Sequence, residues 1–101
     1  VEEVDEGDEI AKALGDKKVI ILQNHGILTT GPSVDIALWF YMSMERCCQA
    51  QLMAEAAGEP VIIPHETAIK TREFIANDIA AWASYQPAFD KIIKMQPDLL
   101  D

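Results

Sequence analysis

KKVIILQNHGILTTG, residues 17–31, decides how this chain is read. Two lysines open it, and the apolar run Val19-Ile20-Ile21-Leu22 follows. Gln23, Asn24, His25 and Gly26 come next. A second apolar stretch, Ile27-Leu28-Thr29-Thr30, stops at Gly31. Short β-branched runs bounded by polar and glycine positions predict strands over 18–23 and 27–30. The unbroken apolar run of the first predicts burial on both of its faces. The interval is too short for a crossover, which needs about a dozen residues, so an antiparallel neighbour or a bent continuation is expected. His25 is thereby delivered at a strand end, beside a glycine that lets the backbone turn sharply or another group come close. Strand ends are rigid, and an imidazole that binds metal or moves protons has to be held in one direction.

Upstream, residues 7–14 (GDEIAKAL) predict a short helix with Ile10, Ala11, Ala13 and Leu14 on one side, stopped by Gly15. Downstream, Gly31-Pro32-Ser33 breaks the sheet, and Ser33 is a good N-cap for a long helix with Asp35 in its first turn. That helix is expected to reach about Ala57, ended by Gly58 with Pro60 beyond, and to measure roughly 37 Å at 1.5 Å per residue. Ala37, Tyr41, Met44, Cys48 and Leu52 share one face at three- and four-residue spacing. The cluster Trp39-Phe40-Tyr41-Met42 goes nearly all the way round, so the start of the helix should be buried against the sheet or another subunit. Its aromatics read as packing. Glu45 and Arg46 read as a solvated polar face. Val61-Ile62-Ile63 is a short extended piece. Residues 66–83 predict an amphipathic helix with Ile69, Ala76, Ile79, Ala80 and Ala83 inward. Pro87 suits the first turn of a last short helix carrying Phe89, Ile92 and Ile93, which Pro97 ends. There is no internal repeat and no low-complexity stretch.

The net charge is −9, but six of the seventeen acidic residues lie in the first nine positions. Eleven acids against eight bases remain elsewhere, so the body is only mildly acidic. The acidic start reads as a solvated lead-in to a helix, whose positive end carboxylates suit. With no basic stripe to neutralise phosphates, a nucleic-acid partner is not expected. The most apolar stretch, 36–44, is far short of the roughly 20 residues a membrane span needs, so no membrane role is expected either. Cys47 and Cys48 are neighbours that point about 100° apart on a helix and are poorly placed to bond each other. They read as buried reduced thiols of a cytoplasmic protein. His65, following Pro64 in a helix lead-in, reads as a capping or surface residue.

The order Ala13-Leu14-Gly15, Leu22-Gln23-Asn24-His25-Gly26, Gly31 before a capped helix, and Met44-Glu45-Arg46 followed by Gln49-Ala50-Gln51-Leu52 resembles the class II aldolase/adducin family, its fungal members in particular. The resemblance is close over residues 7–60 and weaker through the C-terminal helices, to Gln96-Pro97-Asp98-Leu99-Leu100. It implies an α/β fold: part of an α/β/α domain, with the edge of a central sheet, a long helix and C-terminal helices. In catalytic members the histidine of Asn-His-Gly is the third zinc ligand, and His25 matches it. The other two ligands come from an upstream His-x-His, and an acidic residue further upstream handles protons. Neither these nor the phosphate-binding loop has a counterpart here, and the chain starts at Val1. Residues 1–101 therefore resemble the C-terminal part of such a domain, with 1–9 an acidic lead-in and 61–101 a helical extension.

Two functions follow from that resemblance. One is a fragment of a metal-dependent enzyme, inactive by itself, whose intact parent performs aldehyde-lyase chemistry on a sugar-like carbonyl substrate with a divalent metal, Zn2+ by family precedent. The other is an adducin-like domain, without a complete metal site, acting in cytoskeletal, actin-associated or other assembly. A homo-oligomer is implied, with sites near subunit boundaries. Half of the 101 residues are hydrophobic; if a missing half normally covers the sheet, part of that apolar content should be exposed, and aggregation or tight self-association should follow.

Overall fold

The structure, a computed structural model, describes residues 4–101. Helix α1 (Val4–Leu14) leads into an antiparallel hairpin of β1 (Val19–Leu22) and β2 (Gly26–Thr29). Then come the long helix α2 (Val34–Ala57), α3 (His65–Ile75), α4 (Asp78–Met95) and a final 3-10 turn, Pro97–Leu100. This is a helical α/β arrangement with a small two-stranded sheet. The hairpin register pairs Val19 with Thr29 and Leu22 with Gly26.

Local chemistry explains most boundaries. α1 begins a turn earlier than its pattern predicts, and of the acidic lead-in Glu2 and Glu3 lie outside the described residues. Gly15 ends α1 at φ +55°, with its N–H donating to the Ala11 carbonyl at 3.0 Å. This left-handed position suits glycine. The Ser33 hydroxyl caps α2 by accepting from the Ile36 N–H at 3.4 Å, and Asp35 stands in the first turn. Gly58 closes α2 with its N–H on the Ala54 carbonyl.

The C-terminal helices differ from the expected pair. The helix predicted over 66–83 breaks at Ala76–Asn77, and one helix then runs from Asp78 to Met95 straight through Pro87. The cause is Asn77. Its amide nitrogen donates to the Phe74 carbonyl at 2.9 Å and so finishes α3, while its oxygen accepts from the Ala80 N–H at 2.9 Å and so starts α4. An asparagine that serves both ends at once outweighs an uninterrupted apolar pattern. Pro87 is thus not in a first turn. Phe89, Ile92 and Ile93 are half-buried on the same helix. Ile79 and Ala83, expected inward, are exposed, and the buried residue of α4 is Ala81.

The core is small. Ile36, Phe40 and Ala81 form it, with Val19, Trp39 and Ala76 packed alongside. α2 therefore turns its Ile36–Phe40 side inward, not the Tyr41–Leu52 side. Tyr41 is 44 % and Leu52 68 % exposed, while Ala37, Met44 and Cys48 are half-buried. Two apolar faces compete on this helix, and the one whose residues stand opposite Ala81 and Val19 wins. β1 is not covered on both faces, since Ile21 is 63 % exposed. Cross-links hold the layers: Thr29 Oγ1 donates to the Ala37 carbonyl at 2.7 Å, and Gln86 Nε2 to Asp35 Oδ2 at 3.2 Å. Lys18 Nζ donates to the Ala76 carbonyl and lies 5.1 Å from the Phe40 ring centroid, a cation–π arrangement.

The accessible surface is 8359 Å2, against roughly 5,700 Å2 for a compact monomer of this size. The radius of gyration is 16.3 Å, where about 13 Å is usual. The expected exposure of apolar side chains is therefore present, with Val61 and Ile62 at 95 % and 88 % and Phe74 at 81 %. No helix among the described residues is long and apolar enough to cross a membrane.

Candidate functional site

His25 stands in the hairpin turn. Its N–H donates to the Leu22 carbonyl at 3.2 Å, closing a four-residue turn over Gln23 and Asn24. Asn24 takes φ +61°. A positive φ at the third position is what a type II turn demands, and asparagine tolerates it better than other residues with a β-carbon. Gly26 follows at φ +148°, where a side chain would be strained, and already pairs with Leu22 in the ladder. The backbone on both sides of His25 is thus fixed by hydrogen bonds and by two residues chosen for left-handed geometry. His25 itself is exposed.

His25 lines an open cleft of about 560 Å3 between α1 and the hairpin. Ile10, Ala13, Ile20, Ile21 and Leu22 make the apolar wall, and Gln23, Glu6 and Glu9 join His25 as the polar groups. The two glutamates belong to the acidic lead-in read from sequence as merely solvated. They are exposed, as expected, but they also line this cleft. Their i, i+3 spacing in phase with Ile10 and Ala13 marks a shared helix face, and only the packing of α1 along β1 turns that face to the cleft.

The other singled-out residues do not gather here. His65 is the exposed first residue of α3. Glu45 and Arg46 are exposed on α2. Cys47 and Cys48 are free. Cys47 is exposed and Cys48 half-buried, so the expected burial fails because the covered side of α2 lies elsewhere. Both line a second groove with Ile21, Met44, Gln51 and Leu52. Among the described residues, no three His, Cys, Asp or Glu side chains come together as a metal site. The residues present supply one imidazole on a fixed stretch of backbone, which does not amount to a catalytic zinc set of three protein ligands.

The hairpin presents His25 at a cleft, backed by a long capped helix, and nearly the whole chain is similar to known proteins. The family described as Class II Aldolase and Adducin N-terminal domain matches residues 1–52, and this chain belongs to the class II aldolase/adducin family. Decarboxylase NovR of Streptomyces niveus is 41 % identical over 95 residues, covering 94 % of this chain and 35 % of that protein. Adducin-related protein 1 of Caenorhabditis elegans is 39 % identical over 64 residues, covering 62 % of this chain and 9 % of that protein. Among solved structures, L-fuculose 1-phosphate aldolase from Glaciozyma antarctica PI12 superposes with a TM-score of 0.86 at 38 % identity, over 90 % of this chain and 36 % of that one. The chain spans about a third of the length of the decarboxylase and of the aldolase.

Proposed function

We propose that this chain is the C-terminal part of the domain of a class II aldolase-type protein, with His25 one ligand of a divalent cation and a small sugar-like carbonyl compound as the substrate cleaved. The observation that carries the reading is the placement of His25: exposed, at a cleft, on a turn whose backbone is fixed on both sides. Likeness to a fuculose-phosphate aldolase over nine-tenths of the chain supports it. So does the name of the decarboxylase relative. Decarboxylation and retro-aldol cleavage both break a carbon–carbon bond and leave an electron pair to spread onto a neighbouring oxygen, so both need that oxygen stabilised.

Zn2+ is the cation that best suits an imidazole donor with open positions, and its chemistry there is polarisation of a carbonyl. One imidazole does not hold it. The remaining donors and the group that moves protons belong to polypeptide beyond these residues, and the chain alone is inactive. What it contributes is orientation, together with an apolar wall that lowers water access to the cleft. In the family manner, the working form is a homo-oligomer.

A second reading has its own support. Similarity to an adducin-related protein fits a domain that keeps the strand-end histidine without a complete metal set and serves in protein assembly. Metal analysis of the complete gene product separates the two. Stoichiometric zinc that is lost when His25→Ala is introduced is the outcome expected for the enzyme. A complete protein that purifies without metal and takes up none from micromolar zinc leaves the assembly reading.

A further inference from the structure

Asn24 stands between two residues that line the cleft, Gln23 and His25, and is not part of that lining. It is exposed, and no hydrogen bond of its amide is found among the described residues. What sets it apart is its backbone. At φ +61° it is the one residue other than glycine in the left-handed region among those described. That conformation is unfavourable for an L residue, because its β-carbon crowds the next carbonyl; asparagine tolerates it better than most, and β-branched residues tolerate it worst. A left-handed residue here brings the His25 N–H back to the Leu22 carbonyl, 3.2 Å away, and sets Gly26 opposite Leu22 in the ladder. The direction in which the Cα–Cβ bond of His25 leaves the chain follows from that turn. The geometry is closed within residues 22–26, whatever else packs on the chain.

We infer that Asn24 is a positioning residue for the proposed cation site, acting through its left-handed backbone and not through its amide. This role rests on the reading of His25 as a ligand of that cation. A donor nitrogen has to stand about 2.0–2.1 Å from a zinc ion, with little tolerance. A histidine whose turn relaxes in the absence of the ion must be restored to the turn on binding, and affinity falls by the cost of that step. For a residue that resists the left-handed region, the cost is roughly five- to thirtyfold in affinity. An amide that touched cation or substrate would have the opposite signature. Glutamine would then be the nearest substitute for Asn24 and glycine a poor one. With a backbone role, glycine is the good substitute and glutamine the poor one, since glutamine keeps the amide without asparagine's ease at positive φ.

Competition titration of zinc on the complete gene product tests this, with Asn24→Gly, Asn24→Gln and Asn24→Val compared at a temperature where far-UV circular dichroism shows each to be folded. Affinity within about twofold of wild type is expected for Asn24→Gly, an intermediate loss for Asn24→Gln, and a loss of roughly tenfold for Asn24→Val. A merely structural role would shift the unfolding midpoints and leave the four affinities equal, so equal affinities overturn the inference. Zinc binding kept by Asn24→Gln and lost by Asn24→Gly overturns it in favour of the amide. A wild type that takes up no zinc, or zinc indifferent to His25→Ala, overturns the cation reading and this role with it. Hydrogen exchange of the His25 amide in the metal-free protein separates that failure from a failure of the turn. Protection kept by Asn24→Gly and lost in Asn24→Val shows that Asn24 governs the turn and that only the cation was wrong. Protection that survives Asn24→Val overturns the role of Asn24 whatever the site binds.

Discussion

Replacing Gly31 with alanine should cost far more than the same change at Gly58, and the difference is computable from the fold. Gly31 lies between β2 and α2. A β-carbon built on it would meet Ile36 Cγ2 at 2.9 Å, the Ala37 backbone nitrogen at 3.1 Å and Ile36 Cβ at 3.3 Å. Comfortable contacts between carbons are about 3.5–4.0 Å. Ile36 is only 7 % exposed and is one of three core residues, so it has little room to retreat. The Ala37 nitrogen is fixed by its bond to the Ser33 carbonyl at 3.1 Å. Forcing a methyl group into such a site costs about 1–3 kcal/mol. About a fifth to three-fifths of a small domain's stability is at stake if that stability is near 5 kcal/mol, the low end of the usual range. Gly58 meets nothing within 4 Å, and its φ of 164° is extended backbone that any residue adopts. Alanine there removes freedom from the unfolded chain and should be neutral or stabilising by about 0.4–1 kcal/mol. Urea unfolding followed by far-UV circular dichroism measures both. The midpoint should fall for Gly31→Ala at unchanged slope and hold or rise for Gly58→Ala. Equal costs at the two sites, or a stabilised Gly31→Ala, would refute the packing described between β2 and α2.

Three further outcomes are expected. Asn77→Ala removes the acceptor for the Ala80 N–H and the donor to the Phe74 carbonyl; it should lower stability by about 1 kcal/mol, with Asn77→Asp, which keeps the acceptor, falling between the two in urea midpoint. Asn24→Val puts a β-branched residue at φ +61° and should cost about 1–2 kcal/mol, whereas Asn24→Gly should melt within a degree or two of wild type. Thr29→Val deletes the 2.7 Å bond to the Ala37 carbonyl at nearly constant volume and should cost about 0.5–1.5 kcal/mol, read as earlier hydrogen exchange where β2 meets α2.

What the sequence disclosed and what it hid divide along a physical line. Features decided by a few neighbouring residues were legible: the hairpin around 23–26, the Gly15 stop, the Ser33 cap, and a helix running to Ala57. Each rests on a local hydrogen bond or a φ that only certain residues tolerate. Features decided by what lies across the molecule were not. The covered side of α2 could not be read from spacing, because Ile36–Phe40 and Tyr41–Leu52 are both apolar and only the position of Ala81 chooses between them. Burial of β1 and of Cys48 failed for the same reason. The break at Asn77 was readable in principle but lost against a strong periodic pattern. At the site, His25 was legible as a strand-end residue. Glu6 and Glu9 were not, because facing it depends on α1 folding back along β1.

The same division bears on how function is distributed in this chain. The geometry of His25 is a short-range product: the Leu22–His25 turn bond, the left-handed Asn24, Gly26 and a four-pair ladder lie within eleven residues. Only the far end of the hairpin touches the core, through Val19 and the Thr29–Ala37 bond, so the backbone at His25 is set by its own neighbours. A metal set is the opposite kind of object. It requires several donors, distant in sequence, to converge within about 2 Å of one point, and no such group exists among the described residues. An exposed surface far above that of a compact monomer and a helix apolar on two faces but covered on one point the same way. On the proposed function, polypeptide beyond these residues would both complete the site and cover the apolar surface. If one docking event supplies both, zinc affinity at His25 and protection of Ile21 and Leu52 from solvent should rise in step when the complete protein assembles.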